Sequence, residues 1–305
     1  MTGREQGRYA SPAAVEAGIA EAAKKAAKAD PSLAVPERIR LEYFNRFLSR
    51  VFSEGDDSGW VLKGGTSMLA RVPSARATTD IDLFQRSRSL EAALDDLARL
   101  AAVDLGDFFR FDLVDHRNAV GGEQQPQVDG CRITFDVHIG VKKKGNMHVD
   151  LVVSSVMTGD VKVEEPAHAL DLPKLQSHRY RLYPVVDQIA DKVCATLVLY
   201  RGRPSSREKD LVDLVVLAVT QDVEAIGLRN ALRAEAGARS LLLPEELQIP
   251  TRWGPGYRKL ASRISVCEDH RHVEAAKELM RQFVDPVLDD SVTTGVWNHA
   301  TLRWE

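Results

Sequence analysis

The stretch WVLKGGTSMLARVPSARATTDIDLFQ, residues 60–85, decides how the chain is read. A short apolar run ends at Lys63 and meets the pair Gly64-Gly65. Fourteen residues follow, Thr66 to Thr79, and then Asp80 and Asp82 alternate with Ile81 and Leu83. On a strand, residues two apart share a face. Both carboxylates therefore point one way while Ile81 and Leu83 point to a buried side. Like charges held that close repel each other, and a divalent cation is the usual compensation. A glycine pair lets the backbone approach a phosphate with its N–H groups, and Thr66 and Ser67 bring hydroxyls to the same turn. A D-x-D pair alone also suits a solvated strand face; the glycine pair upstream is what points to a metal and nucleotide site.

The chain has 305 residues, a formal charge of −3 and 44% hydrophobic residues. That composition supports a folded core and excludes a polycationic protein, so contact with nucleic acid requires a local basic patch. Cys131, Cys194 and Cys267 are odd in number and far apart, which argues against a disulfide framework or a zinc site. No H-x-x-x-H or H-E-x-x-H pattern occurs among the histidines, which include His138, His148, His270 and His272, so a zinc hydrolase is disfavoured. The N-terminus lacks the apolar run of a signal peptide, and no window of ~18 apolar residues suggests a membrane span. The expectation is a cytoplasmic protein.

Working outward, residues 11–54 read as helical. Ser11-Pro12 is a cap and first turn, and Ile39, Tyr43, Phe44, Phe47, Leu48 and Val51 fall on one helical face. Ser89–Val103 is helix-like. FRFDLVD, CRITFDVHIG and MHVDLVVSSV read as strands, the last two joined through VKKKGN, where Gly145-Asn146 supplies turn chemistry and Lys142, Lys143 and Lys144 sit at the tip. Asp150 on the last strand is the preferred third acid, because its neighbours are the most apolar and its strand should be central; Asp136 is the competitor. GGEQQPQVDG, residues 121–130, reads as a loop. After about residue 165 the pattern is helical, beginning with Pro184–Tyr200 and, after the break GRPSS, a helix opening at SREKDL. The expected division is 1–165, N-terminal helices plus catalytic core, and 166–305, a helical domain closing a cleft.

LKGGTSML followed by RATTDIDLF, with Arg76, Thr78, Asp80, Ile81, Asp82 and Leu83, resembles the glycine and D-x-D motifs of polymerase-beta-like nucleotidyltransferases, and more closely the AbiEii/MenT toxin group. DQIADKVCATL, with Lys192, resembles that group's lysine motif. RGRPSSREKDLVDL, with Ser206, Arg207, Lys209, Asp210 and Asp213, resembles its closing motif. The resemblance implies an α/β fold, in which a small mixed β-sheet nucleotidyltransferase core is joined to N-terminal helices and a helical C-terminal half. It implies an enzyme using a nucleoside triphosphate (NTP) with Mg2+ or Mn2+. Asp80 and Asp82 would hold the metal with Asp150, Gly64, Gly65, Thr66 and Ser67 would face the nucleotide, and Lys192 and Arg207 would contact phosphate. Asp210 would be a late catalytic aspartate. The implied acceptor is RNA, at the 3′ end of tRNA, with translation blocked; the implied partner is a cognate antitoxin, AbiEi-like or kinase-like. Thr78, two residues before Asp80, is a candidate for phosphoregulation. Lys174 to Lys209 carry eight Lys/Arg against three Asp/Glu, a basic stretch suited to a phosphate backbone. Two other readings are a nucleotide-binding regulator without transfer and transfer to a protein or small-molecule hydroxyl.

Overall fold

A computed structural model of the chain describes residues 8–55, 58–73, 75–86, 88–117, 129–153, 156–198 and 207–305. They fall into two compact units: Met1–Pro73, Ala77–Ser155 and Lys162–Leu182 form one; Ser74–Arg76, Val156–Val161 and Tyr183–Glu305 form the other.

The first unit opens with α1 (Pro12–Ala29), whose Ser11 hydroxyl accepts from the Ala14 N–H. That satisfies one of the donors every helix start leaves open. Val15, Ile19 and Ala23, four apart, form its buried stripe. The next helix, α2 (Val35–Val51), departs from a simple amphipathic pattern. Ile39 and Tyr43 are half-buried, whereas everything from Phe44 to Val51 is buried, including Arg46 and Arg50. Each arginine is offset by a carboxylate: Arg46 pairs with Glu42 at 2.7 Å and Arg50 with Asp107 at 2.6 Å. A buried charge is tolerated only with such a partner.

Strand β1 (Trp60–Lys63) runs directly into α3 (Gly64–Arg71), so the glycine pair starts a helix rather than only a turn. Then come β2 (Asp80–Gln85), α4 (Leu90–Ala101), β3 (Phe109–Arg117), β4 (Gly130–Ile139), β5 (Lys142–Val152), β6 (Lys162–Glu164) and β7 (Tyr180–Leu182). These strands form one mixed sheet in the order β3-β4-β5-β2-β1-β7-β6. The pairs β2–β5 and β1–β7 are parallel, and the other neighbours antiparallel. In-register rows such as Ile133–Val149–Ile81 and Cys131–Leu151–Leu83–Leu62 make one face apolar and fully buried. Phe47 of α2 packs on Phe111 and Phe135 of that face, with ring centroids 5.3 and 5.0 Å apart.

Two expectations need correction. The β4–β5 hairpin turns at Gly140-Val141, not at Gly145-Asn146, because Ile139 and Lys142 are register partners. Gly140, at φ 59°, supplies the positive φ that a two-residue turn needs at its first position. Gly145 is instead used up beside a bulge, where the register jumps between Val137 and His138. The lysine triplet therefore lies on β5 and not at the tip. Lys143 is paired with Asp136 at 2.6 Å and Lys144 with Glu16 at 2.5 Å, so these two are not a ready phosphate track. His138 and His148 sit within strands and are half-buried. The second correction is that the chain does not turn wholly helical after residue 165, since β7 returns to the sheet beside β1.

The second unit is built around α6 (Glu208–Thr220), in which every residue from Asp210 to Ala218 is buried. Packed with it are α5 (Val185–Leu197), α8 (Gly254–Ala261) and α9 (Val273–Phe283). Next to α5 lies α7 (Ala225–Ala238), and α10 (Asp285–Leu288) follows α9. A small antiparallel sheet of β8 (Val223–Glu224), β9 (Val296–Asn298) and β10 (Arg303–Trp304) was not expected from the sequence. Trp297 of β9 fixes that sheet to α6 by donating its indole N–H to the Ala218 carbonyl at 2.7 Å. Cys131, Cys194 and Cys267 are free and buried. Among the described residues no helix is long and apolar enough to cross a membrane.

Candidate active site

On the polar face of the sheet, four charged residues stand in one cross-strand row. Lys63 of β1 is the register partner of Asp82, Asp82 of Asp150, and Asp150 of Arg132 on β4. The adjacent row holds Asp80, His148 and Thr134 in the same way. Asp80, Asp82 and Asp150 thus share one face across the parallel pair β2–β5. Asp136 lies two residue pairs further along the β4–β5 ladder from His148, opposite Asn146, and its carboxylate is occupied by Lys143 and the Asn146 amide.

What converges on two of the three carboxylates is a guanidinium. Arg132 donates from Nε and Nη2 to the two oxygens of Asp150 at 2.7 and 2.8 Å. Its Nη2 also reaches Asp80 Oδ2 at 3.3 Å. The hydrogen bonds to Asp150, and then the charges of Asp150, Asp80 and Asp82, raise the already high pKa of Arg132 despite its partial burial. Arg132 remains 46% exposed, so the clamp is open to solvent on one side. Among the described residues, no three acidic, histidine or cysteine side chains are already gathered on one cation position. The donor set still suits a hard divalent cation in kind: three carboxylates on one face, two of which, Asp80 and Asp150, share a single guanidinium.

The start of α3 is fitted to this face. Gly64 has φ 59°, and a Cβ there would lie 1.8 Å from Asp82 Oδ2. Only glycine allows the Asp82 carboxylate to rest on the backbone at the helix N-terminus, where the helix dipole favours negative charge. Gly65 follows it in the first turn of α3. Thr66 and Ser67 are fully buried, and their hydroxyls are already engaged. Thr66 donates to the Asp80 carbonyl at 3.0 Å, and Ser67 accepts from Arg71 at 2.6 Å. The Thr66 bond ties α3 to β2, and the Ser67 bond lies within α3. Thr78 precedes β2, is only 8% exposed, and donates to the same Asp80 carbonyl at 3.2 Å.

In the second unit, Lys192 on α5 meets two acids three residues apart on α6. Its Nζ donates to Asp213 at 2.6 Å and lies 3.6 Å from Asp210. Arg76 grips Asp213 from the other side with two bonds of 2.8 and 2.9 Å. Arg207, the residue before α6, approaches Asp210 at 2.5 Å. Burial works to lower the Lys192 pKa, but the charges of Asp213 and Asp210 prevail and raise it. Burial works to raise Asp213, but Lys192 and Arg76 prevail and hold it below the ordinary carboxylate value. Lys192 is therefore a charged, fixed ammonium, 5% exposed, and not a surface lysine. Ser206 of the closing motif lies outside the described residues, as do the whole of the break GRPSS and most of the loop 121–130.

Sequence reasoning passed over Lys63 and Arg132 as site residues and named Asp213 only as part of a motif. Arg132 was legible as one of the polar alternates in CRITFDVHIG; what could not be seen was which acid its strand register would bring beside it.

Comparison with known proteins adds the following. MenT4, a nucleotidyltransferase toxin from Mycobacterium tuberculosis, aligns with a TM-score of 0.49 and 16% identity over 94% of this chain and 98% of that chain. JHP933 from Helicobacter pylori aligns with a TM-score of 0.42 and 15% identity over 85% of this chain and 96% of that one. No curated protein matches. The model of the AbiEii family, nucleotidyl transferase toxins of type IV toxin–antitoxin systems, matches residues 46–293. That span takes in every charged group from Lys63 to Asp213 described above, and the chain belongs to the AbiEii nucleotidyltransferase toxin family.

Proposed function

We propose that the chain transfers a nucleoside monophosphate from an NTP to the 3′ end of RNA, with tRNA as the acceptor, and so blocks translation. The observation that carries this is the same-face set Asp80, Asp82 and Asp150 beside the glycine start of α3. Enzymes of this family use an NTP and a divalent metal ion. Mg2+ or Mn2+ would be held by Asp80, Asp82 and Asp150, and when bound it supplies charge stabilisation to the triphosphate. The positive end of α3, which begins at Gly64-Gly65, suits a neighbouring phosphate. In the transfer, the acceptor hydroxyl oxygen attacks the α-phosphorus. The bond from the α-phosphorus to the bridging oxygen breaks, pyrophosphate leaves with that oxygen, and the hydroxyl proton passes to water.

Roles for Lys192, Asp210 and Arg207 in the transfer rest on their motifs. Within their own cluster, Arg76, Lys192 and Arg207 meet the carboxylates of Asp210 and Asp213, and cations of these types suit phosphate. Exposed Lys174, Arg179 and Lys209 support an RNA acceptor. A cytoplasmic location and a separately encoded antitoxin follow from the same reading. Thr78 is proposed as a regulatory site. A phosphate there would break its bond to the Asp80 carbonyl and add negative charge two residues from a metal ligand, after local opening of the buried hydroxyl. Co-expression with a kinase-like antitoxin should add one phosphate mass at Thr78; an unmodified Thr78 peptide from inactivated protein would remove this site.

The test is incubation of the protein with each radiolabelled NTP, first with total RNA and then with total protein. Label is expected in tRNA-sized RNA, and Asp80→Ala and Lys192→Ala should abolish it. Label confined to protein would replace the acceptor, and full activity in Asp80→Ala would refute the mechanism.

A further inference from the structure

Arg132 belongs to β4, yet its guanidinium holds together acids from both β2 and β5. Both oxygens of Asp150 are taken up by it, and Asp80 Oδ2 is drawn toward the same nitrogen. The same oxygens are those a divalent cation would need. A guanidinium carries one charge at a hydrogen-bond distance; a dication brings two at roughly 2.0–2.2 Å from each oxygen. The two cannot occupy the face together. Arg132 is half exposed, so its side chain has solvent to move into, and its ion pairs are of the weak, partly screened kind.

We infer that Arg132 is an internal competitor for the divalent cation: it closes the carboxylate face in the metal-free protein and must release Asp150 and Asp80 before their oxygens can turn to a metal. It thereby sets the cation concentration at which the site fills, and it keeps three like charges from repelling one another while the site is empty. This rests on the reading that Asp80, Asp82 and Asp150 hold the metal.

The experiment is direct Mn2+ binding to the full chain, without nucleotide, followed by the loss of the free-ion paramagnetic resonance signal. Wild type, Arg132→Gln, Arg132→Lys and Asp80→Asn are compared. Arg132→Gln should bind Mn2+ roughly ten-fold more tightly than wild type, and Arg132→Lys, which loses the two-pronged hold on Asp150, by a smaller factor. In thermal unfolding, metal-free Arg132→Gln should melt below wild type and gain more on Mn2+ addition. Unchanged or weaker Mn2+ binding in Arg132→Gln overturns the inference; should that variant not fold, equal or weaker binding in Arg132→Lys does so. If Asp80→Asn binds Mn2+ as wild type does, the metal reading itself fails and the inference with it. If Asp80→Asn loses binding while the Arg132 variants match wild type, only the role of Arg132 is lost.

Discussion

Gly64→Ala is the perturbation that isolates the fit between α3 and the carboxylate face. The new Cβ would fall 1.8 Å from Asp82 Oδ2, 2.4 Å from Cγ and 2.9 Å from Cβ of Asp82. Relief to an ordinary contact displaces the carboxylate oxygen by at least about 1.6 Å, and a rotation of the Asp82 side chain can supply it. Misplacing a reacting group by about 1 Å costs on the order of 10²-fold in rate, or about 2.7 kcal/mol of transition-state stabilisation. The backbone adds a second cost, since φ 59° in a residue with a Cβ is worth about 1–2 kcal/mol of stability. Gly55→Ala separates the two effects: its φ is 79°, and a Cβ there meets nothing within 4 Å. Both variants should melt a few degrees lower, but only Gly64→Ala should lose about 100-fold in nucleotide transfer at saturating NTP. Transfer at the wild-type rate in Gly64→Ala, or an equal loss in Gly55→Ala, would refute the idea that Asp82 is held by contact with this glycine.

Four further outcomes are expected. Asp213→Ala leaves buried Lys192 with only the longer contact to Asp210 and should cost about 3 kcal/mol in denaturant titration, and an unchanged midpoint would remove the network from the account of stability. Because Asp213 is held below the ordinary carboxylate value, its contribution is complete above about pH 4 and is lost as pH falls through its folded value. Asp213→Asn should therefore flatten the acid limb of the stability curve. Burial pushes the His168 imidazole from 6.5 down to about 4, so its stabilisation is full above pH 6.5 and declines toward pH 4. That decline is on the order of 3 kcal/mol, and urea midpoints of His168→Gln at pH 7 and 4.5 should differ less than those of wild type. Burial also pushes Cys131 up to about 11 and Cys194 and Cys267 up to about 12. Native protein at pH 8 should resist a thiol-reactive disulfide reagent that modifies all three at once in denaturant, and fast native labelling would contradict the buried placement.

The parts of this fold that were legible in the sequence are those whose signal is local. Ser11-Pro12 caps a helix because the bond it makes is three residues away. The alternation of Asp80, Ile81, Asp82 and Leu83 gives the two faces of a strand for the same reason. Register is not local. Asp150 lies 68 positions after Asp82, and nothing in either segment says which residue opposes which, although a one-residue slip would turn every side chain to the other face. Turn composition misled at the β4–β5 hairpin because Gly145-Asn146 has the commoner turn chemistry, while the β-branched Val141 disguises the true turn, where it is 96% exposed. Strand β7, three residues long, is too short to carry a period. Buried charge was the least legible of all. Arg46, Arg50 and Lys192 each sit on a helix where periodicity alone reads a charged residue as solvated. For Arg50 and Lys192 the acids that make burial possible, Asp107 and Asp213, come from other elements. Glu42, one turn from Arg46, is the exception: an i,i+4 pair visible in the sequence, but one that looks the same on a surface. A charge is assigned to the core only once its partner is placed, and partners are placed by the register and packing that the charge itself does not encode. Arg132 follows the same logic at the site: its charge was visible from the first reading, but its meaning depends on Asp150 and Asp80 standing beside it.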